Sequence, residues 1–319
     1  MAELDPQAAA LLETVEAMGE PPTHALSVES ARERLRGLFA DASREEVDRV
    51  EDVSIGGPAG AIPVRLYAPA GEGHPLVVYL HGGGWTVGDL ETYDPLCRAL
   101  SNATGCAVLS VEYRLAPEHP FPAAVEDAYA AVEWATEFGG RINCDPERVA
   151  VAGDSAGGNL SAAVTLLARD RGGPALEHQA LLYPAVAAPE IHEFESHEEN
   201  AEGYLLEAES ARWYYEKYLP DPLDRRNEYA APLLARDLSG LPPATVVTAG
   251  FDPLRDEGEA YAVRLREAGV PVEHHSYGGM IHGFVSFLDQ FDAAHDALGT
   301  VARELRRAFD LPEDRADEG

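Results

Sequence analysis

Lysine is almost missing from this chain. Only Lys217 is a lysine among 24 basic side chains, which face 56 acidic ones, so the 319 residues carry a formal net charge of −32. An excess of one sign this large excludes nucleic acid and anionic membranes as partners, since both would be repelled. A GC-rich genome would account for arginine over lysine, but not for the surplus of Asp and Glu. A folded protein this acidic repels itself at low ionic strength, and near 1 M salt the Debye length falls to about 3 Å. The charge therefore reads as adaptation to a salty cytoplasm. Cysteine is also scarce: Cys97, Cys106 and Cys144 are an odd number at no metal-ligand spacing. That excludes a disulfide framework and predicts reduced, buried thiols. Long apolar runs are absent too, none approaching the roughly 20 residues of a membrane span. Residues 1–10 lack the basic and hydrophobic regions of a signal peptide, and the expectation is a cytoplasmic protein.

The length fits one large α/β domain with a small cap. Residues 8–18 are preceded by Asp5-Pro6, an N-cap and first-turn pair, and followed by Gly19; Ser27 opens a second helical stretch through Phe39. From residue 50 to 67 apolar residues alternate, with Val53 and Ile55, then Ile62, Val64 and Leu66, as in a half-buried antiparallel hairpin turning through Gly56-Gly57-Pro58; Pro63 suggests an edge position. Beyond residue 75, short continuous apolar runs at 76–80, 107–111, 149–152, 180–183 and 245–249 alternate with helical segments, and 271–277 supplies a last strand. This is the pattern of a parallel sheet covered on both faces. Residues 187–223 break the rhythm, being polar, acidic and aromatic, and are expected to form helices above the carboxyl edge of the sheet. The acidic tail after Pro312 is expected to be frayed.

Two segments carry the chemistry. His81-Gly82-Gly83-Gly84-Trp85 and Gly153-Asp154-Ser155-Ala156-Gly157-Gly158 each follow an apolar run. A serine between glycines at a strand-to-helix turn forms a nucleophile elbow, which lifts the hydroxyl into the open and aims the free amides of the next helix at it. The partners of such a serine follow in the order acid, then histidine. Asp252 lies directly after a predicted strand and before Pro253, and is the orienting acid; Asp256, one turn further, suits the helix N-terminus and is the alternate. Of eleven histidines, His282 follows Gly278-Gly279 in a loop after the last strand, where an imidazole can reach Ser155. His274 and His275 are adjacent in a strand and face opposite sides, His178 begins a strand, and His192 and His197 lie in the cap segment. The amides of Gly83, Gly84 and Ala156 would form an oxyanion hole, with Gly82 as a substitute for one of them. His81 would hydrogen-bond that loop into shape. Glycine-rich loops also cradle phosphates, but no Gly-Lys-Ser or Gly-Lys-Thr follows.

These motifs, with Tyr113-Arg114-Leu115-Ala116-Pro117-Glu118-His119-Pro120-Phe121-Pro122-Ala123-Ala124, Asp252-Pro253-Leu254 and His282-Gly283-Phe284, resemble the hormone-sensitive lipase family of carboxylesterases, in particular its bacterial and archaeal esterases, over residues 50–309. The resemblance implies an α/β-hydrolase fold, an eight-stranded and mostly parallel sheet with helices on both faces. It also implies a helical cap from the N-terminus and an insertion after the sixth strand. Residues 1–45 would then be cap, 46–186 core, 187–225 cap insertion and 226–319 core.

The expected activity is hydrolysis of short- to medium-chain carboxylic esters through an acyl-enzyme on Ser155, with His282 as base and Asp252 holding it. No metal or organic cofactor is required, and the partner is a small-molecule ester; the oligomeric state stays open between monomer and homodimer. Trp85, Phe39, Trp213, Tyr214 and Leu205 are pocket candidates, each equally at home in a core. An amidase or formamidase would share the nucleophile, whereas a non-catalytic small-molecule receptor on the same fold would not need all three residues.

Overall fold

A computed structural model describes residues 3–188 and 191–312 of the chain. Its strands are β1 (Arg49–Gly57), β2 (Gly60–Ala68), β3 (His74–Leu80), β4 (Ala107–Val111), β5 (Cys144–Asp154), β6 (His178–Leu182), β7 (Ala244–Phe251) and β8 (Val272–Ile281). They form one sheet in the order β1-β2-β4-β3-β5-β6-β7-β8, parallel except where β2 meets β1 and β4. The helices are α1 (Pro6–Met18), α2 (Val28–Leu38), α3 (Asp94–Thr104), α4 (Ala123–Phe138), α5 (Ala156–Arg171), α6 (Glu195–Glu199), α7 (Ala208–Tyr218), α8 (Arg255–Glu267) and α9 (Asp292–Ala308).

Period-two alternation decides which helix covers which face. In β3, Leu76, Val78 and Leu80 join the cluster that holds Leu160 and Val164 of α5 and Val132 of α4. Val77 and Tyr79 join the opposite cluster, with Leu96 of α3 and Val301 of α9. Both faces are therefore sealed, which is why these strands read as continuous apolar runs rather than alternating ones. The three thiols are buried, and burial pushes those of Cys106 and Cys144 up to about 11.

The N-terminal caps follow the sequence. The Asp5 carboxylate accepts from the Gln7 amide at 2.8 Å with Pro6 opening α1, and the Ser27 hydroxyl accepts from Ser30 N at 3.1 Å. The hairpin registers Val53↔Val64 and Ile55↔Ile62 put the alternating residues on one face. Pro63, however, is not on an edge strand, because β2 pairs with β4 on its other side. It is tolerated because that ladder begins one residue later, at Val64↔Val111, and Pro63 there only accepts, from Glu112 N at 3.0 Å.

A second correction concerns the last strand. β8 runs on to Ile281, so Gly278 and Gly279 lie inside it and not in a loop. The two glycines keep strand geometry because other backbone lies against them. A side chain on Gly250 of β7 would strike Gly278, and Asp5 N donates to the Gly279 carbonyl at 2.9 Å. Within 187–225, α6 and α7 are helical as expected; residues 189 and 190, and the tail after Pro312, lie outside the described residues. Among the described residues no helix is long and apolar enough to cross a membrane.

Candidate active site

Ser155 stands between the end of β5 and the first residue of α5, at φ 53° and ψ −116°. A non-glycine residue at positive φ is costly and persists only where its surroundings hold it. Here Ser155 N donates to the Leu182 carbonyl at 2.8 Å, and the Ser155 carbonyl accepts from Asn159 N and Ala185 N at 3.0 and 3.2 Å. At Gly157 even a methyl group would strike the carbonyl of Leu80, so α5 starts pressed against the end of β3.

His282 follows β8 directly and Asp252 follows β7 directly, so neighbouring strands deliver both to one edge of the sheet. His282 Nε2 lies 2.9 Å from Ser155 Oγ, and its Nδ1 lies 2.7 Å from Asp252 Oδ2. With the hydroxyl donating to Nε2, the imidazole proton sits on Nδ1 and is donated to the carboxylate. Asp252 is fully buried, and its Oδ1 accepts from Leu254 N at 2.8 Å. The Tyr183 ring meets His282 edge-on, centroids 5.0 Å apart.

The other titratable residues lie elsewhere. Asp256 takes Ser196 N at 2.8 Å and pairs with Arg255 at 2.7 Å, in the first turn of α8. His178 meets Thr245, His274 meets Thr248, His197 meets Glu257, and His192 accepts from Ala188 N. Among the described residues no three His, Cys, Asp or Glu side chains gather as a metal site would require.

The glycine loop needs one correction. Gly82 N is not free for an oxyanion, since it donates to Asp154 Oδ1 at 2.9 Å. A side chain at Gly82 would collide with that carboxylate and with the Tyr93 hydroxyl, so this glycine exists for the close approach of Asp154. The amides of Gly83, Gly84 and Ala156 donate to no protein acceptor among the described residues, and Ala156 N belongs to the open first turn of α5. His81 is buried, with Nδ1 donating to the Gly82 carbonyl at 2.7 Å and its ring stacked on Tyr113 at 4.3 Å. Burial depresses it to about 4, which keeps the imidazole neutral. Tyr113 also donates to the His81 carbonyl at 2.6 Å, so the segment that follows β4 props the start of the glycine loop.

Asp154 is the residue that sequence reasoning passed over. It accepts from Tyr79 Oη at 2.8 Å and Tyr93 Oη at 3.1 Å as well as from Gly82 N. Burial pushes its carboxyl up to about 6, against the lowering effect of the three donors and of His282. The available signal was an aspartate closing an apolar strand. The pocket candidates divide. Trp85 is core, stacked on Tyr218 at 4.3 Å, and Phe39 packs on Phe287 at 5.1 Å. Leu205 packs half-buried on the α3–α9 side. Tyr214, beside Trp213 on α7, lies against Gly84, where any side chain would overlap its ring.

A mostly parallel sheet, covered on both faces and presenting a serine, a histidine and an aspartate where β5, β8 and β7 end, defines an α/β-hydrolase. A family profile described as alpha/beta hydrolase fold matches residues 77–286, and the chain belongs to that family, in the branch resembling hormone-sensitive lipase. It is 50% identical over 248 residues to the carboxylic ester hydrolase LipN of Mycobacterium tuberculosis, an overlap of 74% of this chain and 64% of that protein. With the carboxylesterase NlhH of the same species it shares 43% identity over 294 residues, 90% and 91% of the two chains. The solved structure of the ester-hydrolase EH1AB1 from the Lake Arreo metagenome, bound to a bipyridine phosphonate derivative, superposes with a TM-score of 0.92 at 40% identity, covering 97% of this chain and 100% of that one.

Proposed function

We propose that the protein is a serine carboxylesterase that hydrolyses short- to medium-chain carboxylic esters. The observation that carries this reading is the unbroken line from Ser155 Oγ to His282 Nε2 and from His282 Nδ1 to Asp252, at 2.9 and 2.7 Å. The names of the relatives point the same way. In this mechanism His282 takes the hydroxyl proton as Ser155 Oγ attacks the ester carbonyl carbon. Asp252 stabilises the imidazolium, and the carbonyl oxygen turns negative towards the amides of Gly83, Gly84 and Ala156, each worth about 3 kcal/mol. His282 then protonates the departing alcohol. Water repeats the sequence on the acyl-enzyme and releases the acid.

The segments 1–45 and 187–225, which contribute helices α1, α2, α6 and α7, serve as the cap, and Tyr214 roofs the oxyanion loop. The charge of −32 supports a salt-adapted, cytoplasmic enzyme whose partner is a small ester rather than nucleic acid or a membrane. The test is a panel of p-nitrophenyl esters of increasing acyl length with matched anilides, run on the native chain and on Ser155→Ala. Ester turnover should exceed anilide turnover, and the variant should lose about 10⁴-fold or more while keeping its melting temperature. Anilide preference would make it an amidase, and binding without turnover a receptor.

A further inference from the structure

The acid loop is held from outside the sheet. At the end of β7 the pairing with β8 shifts register, Ala249 facing Tyr277 and Phe251 facing Ile281, so Gly250 sits in the irregularity, Asp252 lies just beyond the last pair, and the carbonyls of both need other donors. The cap insertion supplies them. The buried Asn200, at the end of α6, donates its side-chain amide to the Gly250 carbonyl at 3.2 Å and to the Asp252 carbonyl at 3.0 Å. One residue type with two donor hydrogens on one nitrogen thus closes both gaps. The same short helix holds the loop once more through Ser196 Oγ, which donates to the Pro253 carbonyl at 2.8 Å, and it docks on α8 separately, where His197 meets Glu257 at 3.3 Å and Glu199 pairs with Arg255 at 2.9 Å.

We propose that Asn200 is a positioning residue of the active site: by holding the carbonyls of Gly250 and Asp252 it keeps the Asp252 carboxylate aimed at His282 Nδ1. This rests on the reading of Asp252 as the orienting acid, and it assigns the cap insertion a part in the chemistry as well as in covering the pocket. Asp252 Oδ1 is anchored within its own loop by Leu254 N, but the bend that carries the loop off the sheet is tied down by Asn200 together with Arg255, whose Nη1 reaches the Gly250 carbonyl at 3.3 Å. Releasing Asn200 lets the carboxylate drift while Ser155 and the oxyanion amides stay in place. The loss therefore falls on proton transfer and not on substrate binding.

The experiment compares Asn200→Ala and the isosteric Asn200→Asp with His197→Gln, which loosens α6 from α8 without touching either carbonyl, and with Asp252→Asn. Ester kcat should fall about tenfold or more in both Asn200 variants with KM within about twofold, since a misplacement of about 1 Å can cost about 10²-fold. The pH at which kcat/KM reaches half its plateau should move down, because a less well-aimed carboxylate stabilises the imidazolium less. The proton resonance of His282 Nδ1–H shared with Asp252 should shift or broaden. His197→Gln should keep kcat within about twofold and leave that resonance alone. Unchanged kcat and pH profile in folded Asn200 variants would overturn the proposal. So would an equal kcat loss in His197→Gln, which would make the effect one of cap docking, and so would a failure of both Asn200 variants to fold. Asp252→Asn at near-native rate would instead sink the triad reading itself.

Discussion

Gly84 sits where three demands meet: a backbone at φ +57°, an amide that donates to no protein acceptor among the described residues, and the Tyr214 ring in the place a side chain would take. Alanine there takes on the cost of left-handed backbone, about 1–2 kcal/mol, and also overlaps the ring. The amide should be displaced, and Gly84→Ala is expected to lower ester kcat by about 10²-fold, the scale of one lost oxyanion donor. The double variant Gly84→Ala/Tyr214→Ala should recover part of that loss, because the overlap is then relieved and only the backbone cost remains. A kcat series on one p-nitrophenyl ester measures both. Gly82 was offered from the sequence as an interchangeable donor, and the reason it is not lies in Asp154. Consecutive glycines look alike as letters, and only the position of a buried carboxylate some seventy residues away tells them apart.

At the scale of elements, α2 is tied by hydrogen bonds to the loops that follow β3 and β4. Arg32 donates to the carbonyls of Thr86 and Ala116 at 2.9 and 3.1 Å and forks onto Glu118 at 2.8 and 2.7 Å; one turn later Arg36 meets Asp89 at 2.6 Å. Bidentate guanidinium contacts are specific to arginine, which gives the near-absence of lysine a local use. Arg32→Ala should lower unfolding free energy by about 1–3 kcal/mol, because two part-buried carbonyls lose their donor. Glu118→Gln should cost less than about 1 kcal/mol, since the exposed ion pair alone is weak. Urea titrations of the two variants separate these terms, and equal losses would assign the effect to the ion pair. The helix was legible from Ser27 onward, but its grip on residues 86, 116 and 118 was not, because nothing local encodes which loop a helix will cross.

For the whole molecule, salt and pH are expected to act through different groups. With −32 of formal charge, lowering the ionic strength lengthens screening to about 10 Å at 0.1 M, and carboxylates across the surface repel one another. The melting temperature should climb from low salt into molar KCl, with NaCl equally effective because screening is the main cause. A flat series at fixed pH would remove the salt-adapted reading. Acid acts through buried histidines. Burial depresses His178, whose Nε2 meets Thr245 Oγ1 at 2.8 Å, to about 4 from 6.5. Below pH 6.5 the unfolded chain takes up a proton that folded His178 refuses until about pH 4. Its contribution to stability is therefore complete above 6.5 and is lost as pH falls through that window, on the order of 3 kcal/mol in full. Asp154 runs the other way, because its raised carboxyl keeps its proton up to about 6 when folded. Comparing His178→Gln with the native chain cancels that opposing contribution. The variant should show a shallower fall in urea-measured stability between pH 6.5 and 4.5, and parallel curves would count against His178 as the source.

What the sequence by itself determined is whatever local pattern can carry. Apolar runs named the buried strands, caps opened α1 and α2, and the order of Ser155, Asp252 and His282 pointed to three residues that the fold brings within hydrogen-bond reach. Those features depend on backbone geometry and periodicity, which are properties of neighbouring residues. Tertiary structure alone decided the rest. It put Pro63 on an inner strand of the sheet, extended β8 through Gly278 and Gly279, gave Gly82 to Asp154, and set Asn200 against Gly250 and Asp252. Each of these is a contact between segments distant along the chain. A buried carbonyl or carboxylate accepts whichever donor packing brings to it, and no local pattern names that donor in advance.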